Sequence, residues 1–181
     1  SGSTGLPKGV VSSHRAIIHA LLSWELDWEL RDAMGVYTLE PSEQQGAMLL
    51  AVPLFNVSGC HAAMLSSIRM QRKLICMYKW DVEEALRLIE LERITAVMAT
   101  PAISGDVLHA SKTSDYDLST LIVLGGGGAP RAPDQVIAIN GMTDNVIPAT
   151  GWGMTETNAI GAGVAADDYL RYPDSSGQCS G

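Results

Sequence analysis

Ala47-Met48-Leu49-Leu50-Ala51-Val52 is an unbroken apolar run, closed by Pro53. So short a run without polar alternation is typical of a β-strand covered on both faces. Similar apolar segments follow at 73–77, 95–99, 121–124 and 145–149. Between them lie stretches with helical spacing. Asp81 with Glu84 three residues later reads as a capping box, and Val82, Ala85, Leu86 and Ile89 give the helix behind it one apolar face. Thr100-Pro101 stops the strand at 95–99, and a helix is expected from there to about 111. Another is expected over 132–139, and one follows Pro53 and runs to about 70. Strand–helix alternation of this kind predicts an α/β fold, a layered, mostly parallel sheet with helices on both faces. In such sheets ligands sit at the carboxyl ends of the strands, and the glycine-rich segments of this chain fall there.

Upstream, Ser12 or Ser13 is positioned to cap a helix over 14–31. Ile17, Leu21, Trp24 and Trp28 form one row on it, and Ile18, Leu22, Leu26 and Leu30 form the next. Two adjacent rows make a wide apolar stripe, expected to pack on the sheet. Val10-Val11 is expected to close a short strand or hairpin arm. Residues 32–46 read as a connection. At the other end, Gly151-Trp152-Gly153 is expected to break regular structure and the tail to be loop-rich.

With 181 residues, 46% hydrophobic and a single Phe, the chain is expected to be one domain, or a large piece of one, whose core must be Leu, Ile, Val, Ala and Met. A net charge of −8 argues against nucleic acid as a partner. Cys60, Cys76 and Cys179 are widely spaced, which gives neither a disulfide framework nor a zinc site and suits a reducing cytoplasmic location. No apolar run has the length of a transmembrane segment, and no signal peptide is seen. The chain opens inside a motif, without Met, and stops at Cys179-Ser180-Gly181, so an excised piece of a longer protein is expected. Exposed sheet edges would invite pairing into a homo-oligomer.

The first ten residues, Ser1-Gly2-Ser3-Thr4-Gly5-Leu6-Pro7-Lys8-Gly9-Val10, combine permissive glycines, hydroxyl donors and one mobile cation. Gly2 and Gly5 let successive N–H groups turn toward one anion, so the segment suits a polyphosphate. It is not the loop of the common NTPases, in which a Ser or Thr follows the lysine and binds magnesium.

This segment resembles the phosphate-binding signature of the adenylate-forming (AMP-binding) enzymes, which include acyl- and aryl-CoA ligases, luciferases and peptide-synthetase adenylation domains. Three more segments look like the same family. Gly127-Gly128-Ala129-Pro130, after a buried strand, is similar to the family's Gly-Ala-Pro stretch that holds adenine and lines the acyl pocket. Gly151-Trp152-Gly153-Met154-Thr155-Glu156 matches another, with Trp152 suited to stack on a purine, Thr155 to bond a phosphate oxygen, and Glu156 to bind Mg²⁺. Pro53-Leu54-Phe55-Asn56-Val57-Ser58-Gly59 is similar to the family's Pro-Leu-Phe-His-x-x-Gly, with Asn56 where His is usual. Asn56 still hydrogen-bonds a carboxylate but carries no titrating proton, while His61 reads as a helix residue.

The resemblance implies residues 1–181 as a partial adenylation domain, part of the family's large N-terminal domain, with the C-terminal lid domain absent. It implies ATP, Mg²⁺ and CoA with a carboxylic acid, a fatty acid being the expected substrate. The implied catalytic residues are Lys8, Thr155 and Glu156, with Glu156 at the metal. Ser1, Gly2, Ser3, Thr4, Gly5 and Lys8, with 127–130 and 151–155, would contact the nucleotide. Phe55, Asn56, Val57 and Gly59 would line the substrate pocket. The family's ribose-binding Asp and bridging lysine are missing, so the chain alone is expected to be inactive. An aryl- or amino-acid-activating domain and a non-catalytic nucleotide-binding module remain alternatives.

Overall fold

The computed structural model describes residues 5–6, 8–35 and 45–180. Its elements in chain order are α1 (His14–Ala33), β1 (Ala47–Leu50), a π-helical segment (Ser58–Leu65) continuing into α2 (Ser66–Arg69), and β2 (Lys73–Cys76). Then come α3 (Val82–Glu92), β3 (Ala96–Met98), α4 (Pro101–Ala110), β4 (Val123–Gly127), α5 (Pro133–Asn140) and β5 (Ile147–Gly153). A 3₁₀ turn (Thr155–Thr157), β6 (Gly161–Ala165), α6 (Ala166–Arg171) and β7 (Gln178–Cys179) close the chain.

One sheet has the order β2-β1-β3-β4-β5-β6-β7. The first five strands are parallel, and β6 and β7 are antiparallel additions at one edge. The period of two along each strand separates two apolar layers. Leu49, Val97 and Leu124 point to one face and pack with Leu86 and Ile89 of α3, Val107 of α4 and Ile139 of α5. Met48, Leu50, Ala96 and Val123 point to the other, against Ala63 of the π-helical segment and Trp28 of α1. Helices therefore cover both faces, as the continuous apolar runs require.

Local signals explain several boundaries. The Ser13 hydroxyl accepts from Ala16 N at 3.2 Å and starts α1. Asp81 caps α3 by accepting from Glu84 N at 3.0 Å. The Glu84 carboxylate turns instead to Arg87, so the expected reciprocal box closes on one side only. That ion pair holds Glu84 below the usual carboxylate range, chiefly through the Arg87 hydrogen bond. Pro101 and Pro133 sit in the first turns of α4 and α5, where a missing N–H costs nothing.

Four expectations need correction. Gly151-Trp152-Gly153 does not break the sheet: β5 runs through it, because β6 supplies antiparallel partners at Gly151↔Gly163 and Gly153↔Gly161. The tail is not loop-rich, since it holds β6, α6 and β7. Val10 and Val11 belong to no strand, and Val11 is exposed. On α1 only the Ile17–Trp28 row is half-buried, while Ile18, Leu22, Leu26 and Leu30 are exposed. The helix is tied to the sheet at its end by Arg31, which pairs with Asp27 and donates to Gly163 O at 3.3 Å. Among the described residues no helix is long and apolar enough to cross a membrane. Cys60, Cys76 and Cys179 are all free thiols.

Candidate active site

Because β1, β3, β4 and β5 run the same way, the segments that follow them share one edge of the sheet. Those segments are 53–59, 99–100, 128–130 and 154–157. Neighbouring strands lie about 4.8 Å apart, so the segment after β1 is roughly 10 Å from the one after β4. Between β1 and β3 the strand order reverses, with β2 on one side of β1 and β3 on the other. Open α/β sheets place their ligand crevice at such a switch point. Phe55, Asn56 and Val57 leave β1 there; Phe55 is 88% exposed, Asn56 is exposed and Val57 half-buried. Gly59 is buried, and a Cβ there would lie 2.3 Å from Pro53 O, so only glycine fits. His61 sits within the π-helical segment, its Nδ1 buried without a partner.

The glycine cluster divides into two parts with different physics. Gly125, Gly126 and Gly127 are the end of β4 itself. Gly126 has φ +137°, and a Cβ on it would lie 1.9 Å from Ala99 O. Only a glycine lets β4 approach the end of β3 so closely, and Ala99 N uses that approach to donate to Gly125 O at 2.7 Å. Gly128, at φ +89°, faces open space, its nearest neighbour being Thr100 Cγ2 at 3.9 Å. Gly128, Ala129 and Pro130 are exposed, so this three-residue backbone step is open to solvent.

Register brings the second candidate segment beside it. Gly127 pairs with Gly151, and the Thr150 hydroxyl donates to Gly126 O at 2.9 Å. Thr150 is not legible in the sequence, since a single threonine in a strand carries no signal for a cross-strand hydroxyl bond. Trp152, 51% exposed, rests on the backbone of Gly161, where a Cβ would meet the indole at 2.7 Å. Met154, Thr155 and Glu156 follow on the exposed 3₁₀ turn. That turn is closed by Thr157, whose hydroxyl accepts from Met154 N at 3.0 Å.

Lys8 and Gly5 are exposed, Gly5 with φ +120°. Ser1, Gly2, Ser3 and Thr4 lie outside the described residues, as does Pro7. Among the described residues no group of three or more His, Cys, Asp or Glu is placed to hold a metal. Magnesium needs no such cage when substrate phosphates supply most of its oxygens, and a single exposed carboxylate such as Glu156 fits that donor set.

A cavity of about 110 Å³ opens between α1 and the β5–β6 pair, lined by Trp24, Trp28, Met98, Gly151 and Ile160, with Arg31 at its wall. A larger hollow of about 390 Å³, bordered by Tyr116, Asp117, Met142 and Asp144, includes the segments leading into β4 and β5, at the opposite edge from the candidate site.

The family model for AMP-binding enzymes matches residues 1–180. Among curated proteins, 4-coumarate–CoA ligase 1 of Arabidopsis thaliana is 28% identical over 99% of this chain and 30% of its own length. A rice 4-coumarate–CoA ligase-like protein is 32% identical over 95% of this chain and 32% of its own. The chain therefore spans about a third of these relatives. Among solved structures, the inhibitor-bound N-terminal domain of FACL13 from Mycobacterium tuberculosis superposes with a TM-score of 0.81 at 26% identity, over 99% of this chain and 42% of that one.

Proposed function

The chain belongs to the AMP-binding enzyme family, and we propose that it forms the nucleotide-binding part of an AMP-forming acid–CoA ligase. In the intact protein a carboxylate oxygen attacks the α-phosphorus of ATP and pyrophosphate leaves. The CoA sulfur then attacks the acyl carbon and AMP leaves. Neither step needs a protein nucleophile; both need positioned substrates and donors facing developing charge. The observation that carries the reading is the register Gly127↔Gly151, which sets the exposed 128–130 backbone beside the strand bearing Trp152.

In this reading adenine lies between the 128–130 step, with Gly127, Ala129 and Pro130 about it, and the indole of Trp152. Gly151, Gly153 and Met154 shape the strand end beneath it, and Thr155 donates to a phosphate oxygen. Ser1, Gly2, Ser3, Thr4, Gly5 and Lys8 hold the outer phosphates. Glu156 would hold magnesium, which supplies charge neutralisation on the phosphates. Asn56 bonds the substrate carboxylate, with Phe55, Val57 and Gly59 about it. The reaction of the chain by itself is expected to stop at nucleotide binding, and its free thiols fit a reducing, cytoplasmic setting.

For the acid, a fatty acyl group is one reading and an aromatic one the other. The relatives named for 4-coumarate favour the second. ATP–pyrophosphate exchange on the full-length protein, run across short, long-chain and aromatic acids with Glu156→Ala as control, tests the function. Exchange that requires one acid class and collapses in the variant is expected. A folded protein with no exchange for any acid would leave a nucleotide-binding module without this chemistry.

A further inference from the structure

Arg131 follows the exposed 128–130 step and is itself buried, 7% exposed. Its Nη1 donates to Ser104 Oγ on α4 at 2.7 Å, while Nε and Nη2 are buried without partners. The Tyr169 phenol of α6 faces the guanidinium, and among the described residues no carboxylate pairs with it. Burial pushes the guanidinium below the ordinary arginine range, with Tyr169 opposing. Two helix N-termini add to the positive potential: α5 begins two residues on, and α4 presents its first turn at Ser104. Neither end has a side-chain cap. An apolar side chain would avoid the desolvation cost of a cation in such a place. Native chains retain such costs at functional positions.

Gly128, Ala129 and Pro130 offer no polar side chain, and the Cβ direction of Gly128 is empty. Arg131 fastens the end of the loop to Ser104, whose hydroxyl lies 3.2 Å from Thr100 O and 3.3 Å from Pro101 O. Tyr169, which interacts with the same guanidinium, belongs to α6, the helix that follows directly from β6, the partner of the Trp152 strand. We propose that Arg131 is a positioning residue of the nucleotide site, pinning the 128–130 loop to α4 and α6 so that loop and Trp152 present a preformed cleft to adenine. The proposal rests on the nucleotide-binding reading above.

The test is calorimetric titration of the full-length protein with MgATP, alongside thermal unfolding without ligand, for wild type, Arg131→Met, Arg131→Lys and Ser104→Ala. Arg131→Met is expected to keep or raise the unfolding temperature, because it removes a buried unpaired charge. Its Kd for MgATP should rise about tenfold, as the fraction of molecules with the loop in place falls to roughly a tenth. Ser104→Ala should weaken binding less, and Arg131→Lys should recover part of the loss. Wild-type affinity in Arg131→Met overturns the proposal. So does a joint fall of stability and affinity, which would make Arg131 a plain structural contact. A folded, full-length wild-type protein that binds no MgATP overturns the nucleotide reading itself, and the proposal with it.

Discussion

Replacing Gly126 with alanine should damage this protein far more than the same change two residues later. A Cβ at position 126 would stand 1.9 Å from Ala99 O and 2.6 Å from Ala99 N, at φ +137°. Clearing that clash means moving β4 away from β3 by about 1 Å, in an interior packed as densely as an organic crystal. The movement also breaks the 2.7 Å bond from Ala99 N to Gly125 O. Backbone strain of about 1–3 kcal/mol and overpacking of about 1–3 kcal/mol together give about 4 kcal/mol. At position 128 the φ of +89° carries strain, but the nearest atom is 3.9 Å away, so only about 1–2 kcal/mol is expected. In urea, with a slope of about 2 kcal/mol per molar, Gly126→Ala should lower the midpoint by about 2 M and Gly128→Ala by less than about 1 M. Equal shifts, or the reverse order, would refute the assignment of Gly126 to strand packing and Gly128 to open space.

Trp152→Ala should weaken MgATP binding by about 1–3 kcal/mol, the range for loss of an aromatic stacking partner of a base, with Trp152→Phe restoring most of it. The unfolding temperature should barely change, since half the indole is exposed. Leu86→Ala, at a side chain with no exposed surface, should cost about 2–5 kcal/mol in denaturant titration. Asp81→Ala removes the cap bond to Glu84 N and should cost about 1 kcal/mol. The Asp117 carboxylate is held below its ordinary value of 3.8 by the Ser119 hydroxyl and N–H. A lowered folded-state value means that its contribution is present above about pH 4 and is lost as pH falls through the lowered value. Asp117→Asn should therefore flatten the acid limb of stability and leave the neutral region nearly unchanged; an unaltered acid limb would discount the Ser119 bonds.

The parallel strands were legible because burial on both faces leaves a local mark. Met48 and Leu50 face one layer, Ala47 and Leu49 the other, and all four are buried. No polar alternation survives, and the run stands out against its surroundings. The antiparallel edge left no such mark. Gly161-Ala162-Gly163-Val164-Ala165 has one β-branched residue, and Gly151-Trp152-Gly153 reads as a breaker until its partner is known. Pairing between the two is what makes them strands, and pairing is nonlocal. On α1 the error ran the other way: periodicity counts apolar residues, and it does not say that every apolar row has a surface to meet.

The site divides along the same line. Glycine, proline and the Trp-Gly-Met-Thr-Glu run could be placed at strand ends from order alone, since a parallel sheet carries them to one edge. What the order could not divide was the four-glycine run. Three of its members answer to Ala99, Ala149 and Gly151 on neighbouring strands, and only Gly128 answers to open space. Arg131 was less legible still. An arginine between Pro130 and Ala132 reads as a solvated loop charge, the ordinary fate of that residue type. Its burial comes from α4 and α6 closing over it, elements 27 and 38 residues away at Ser104 and Tyr169. The open backbone step is thus announced by residues lacking side chains, and the group buried at its end is met by helices distant in sequence. The Arg131 and Ser104 variants address that second kind of residue, for which neither motif nor periodicity provides a signal.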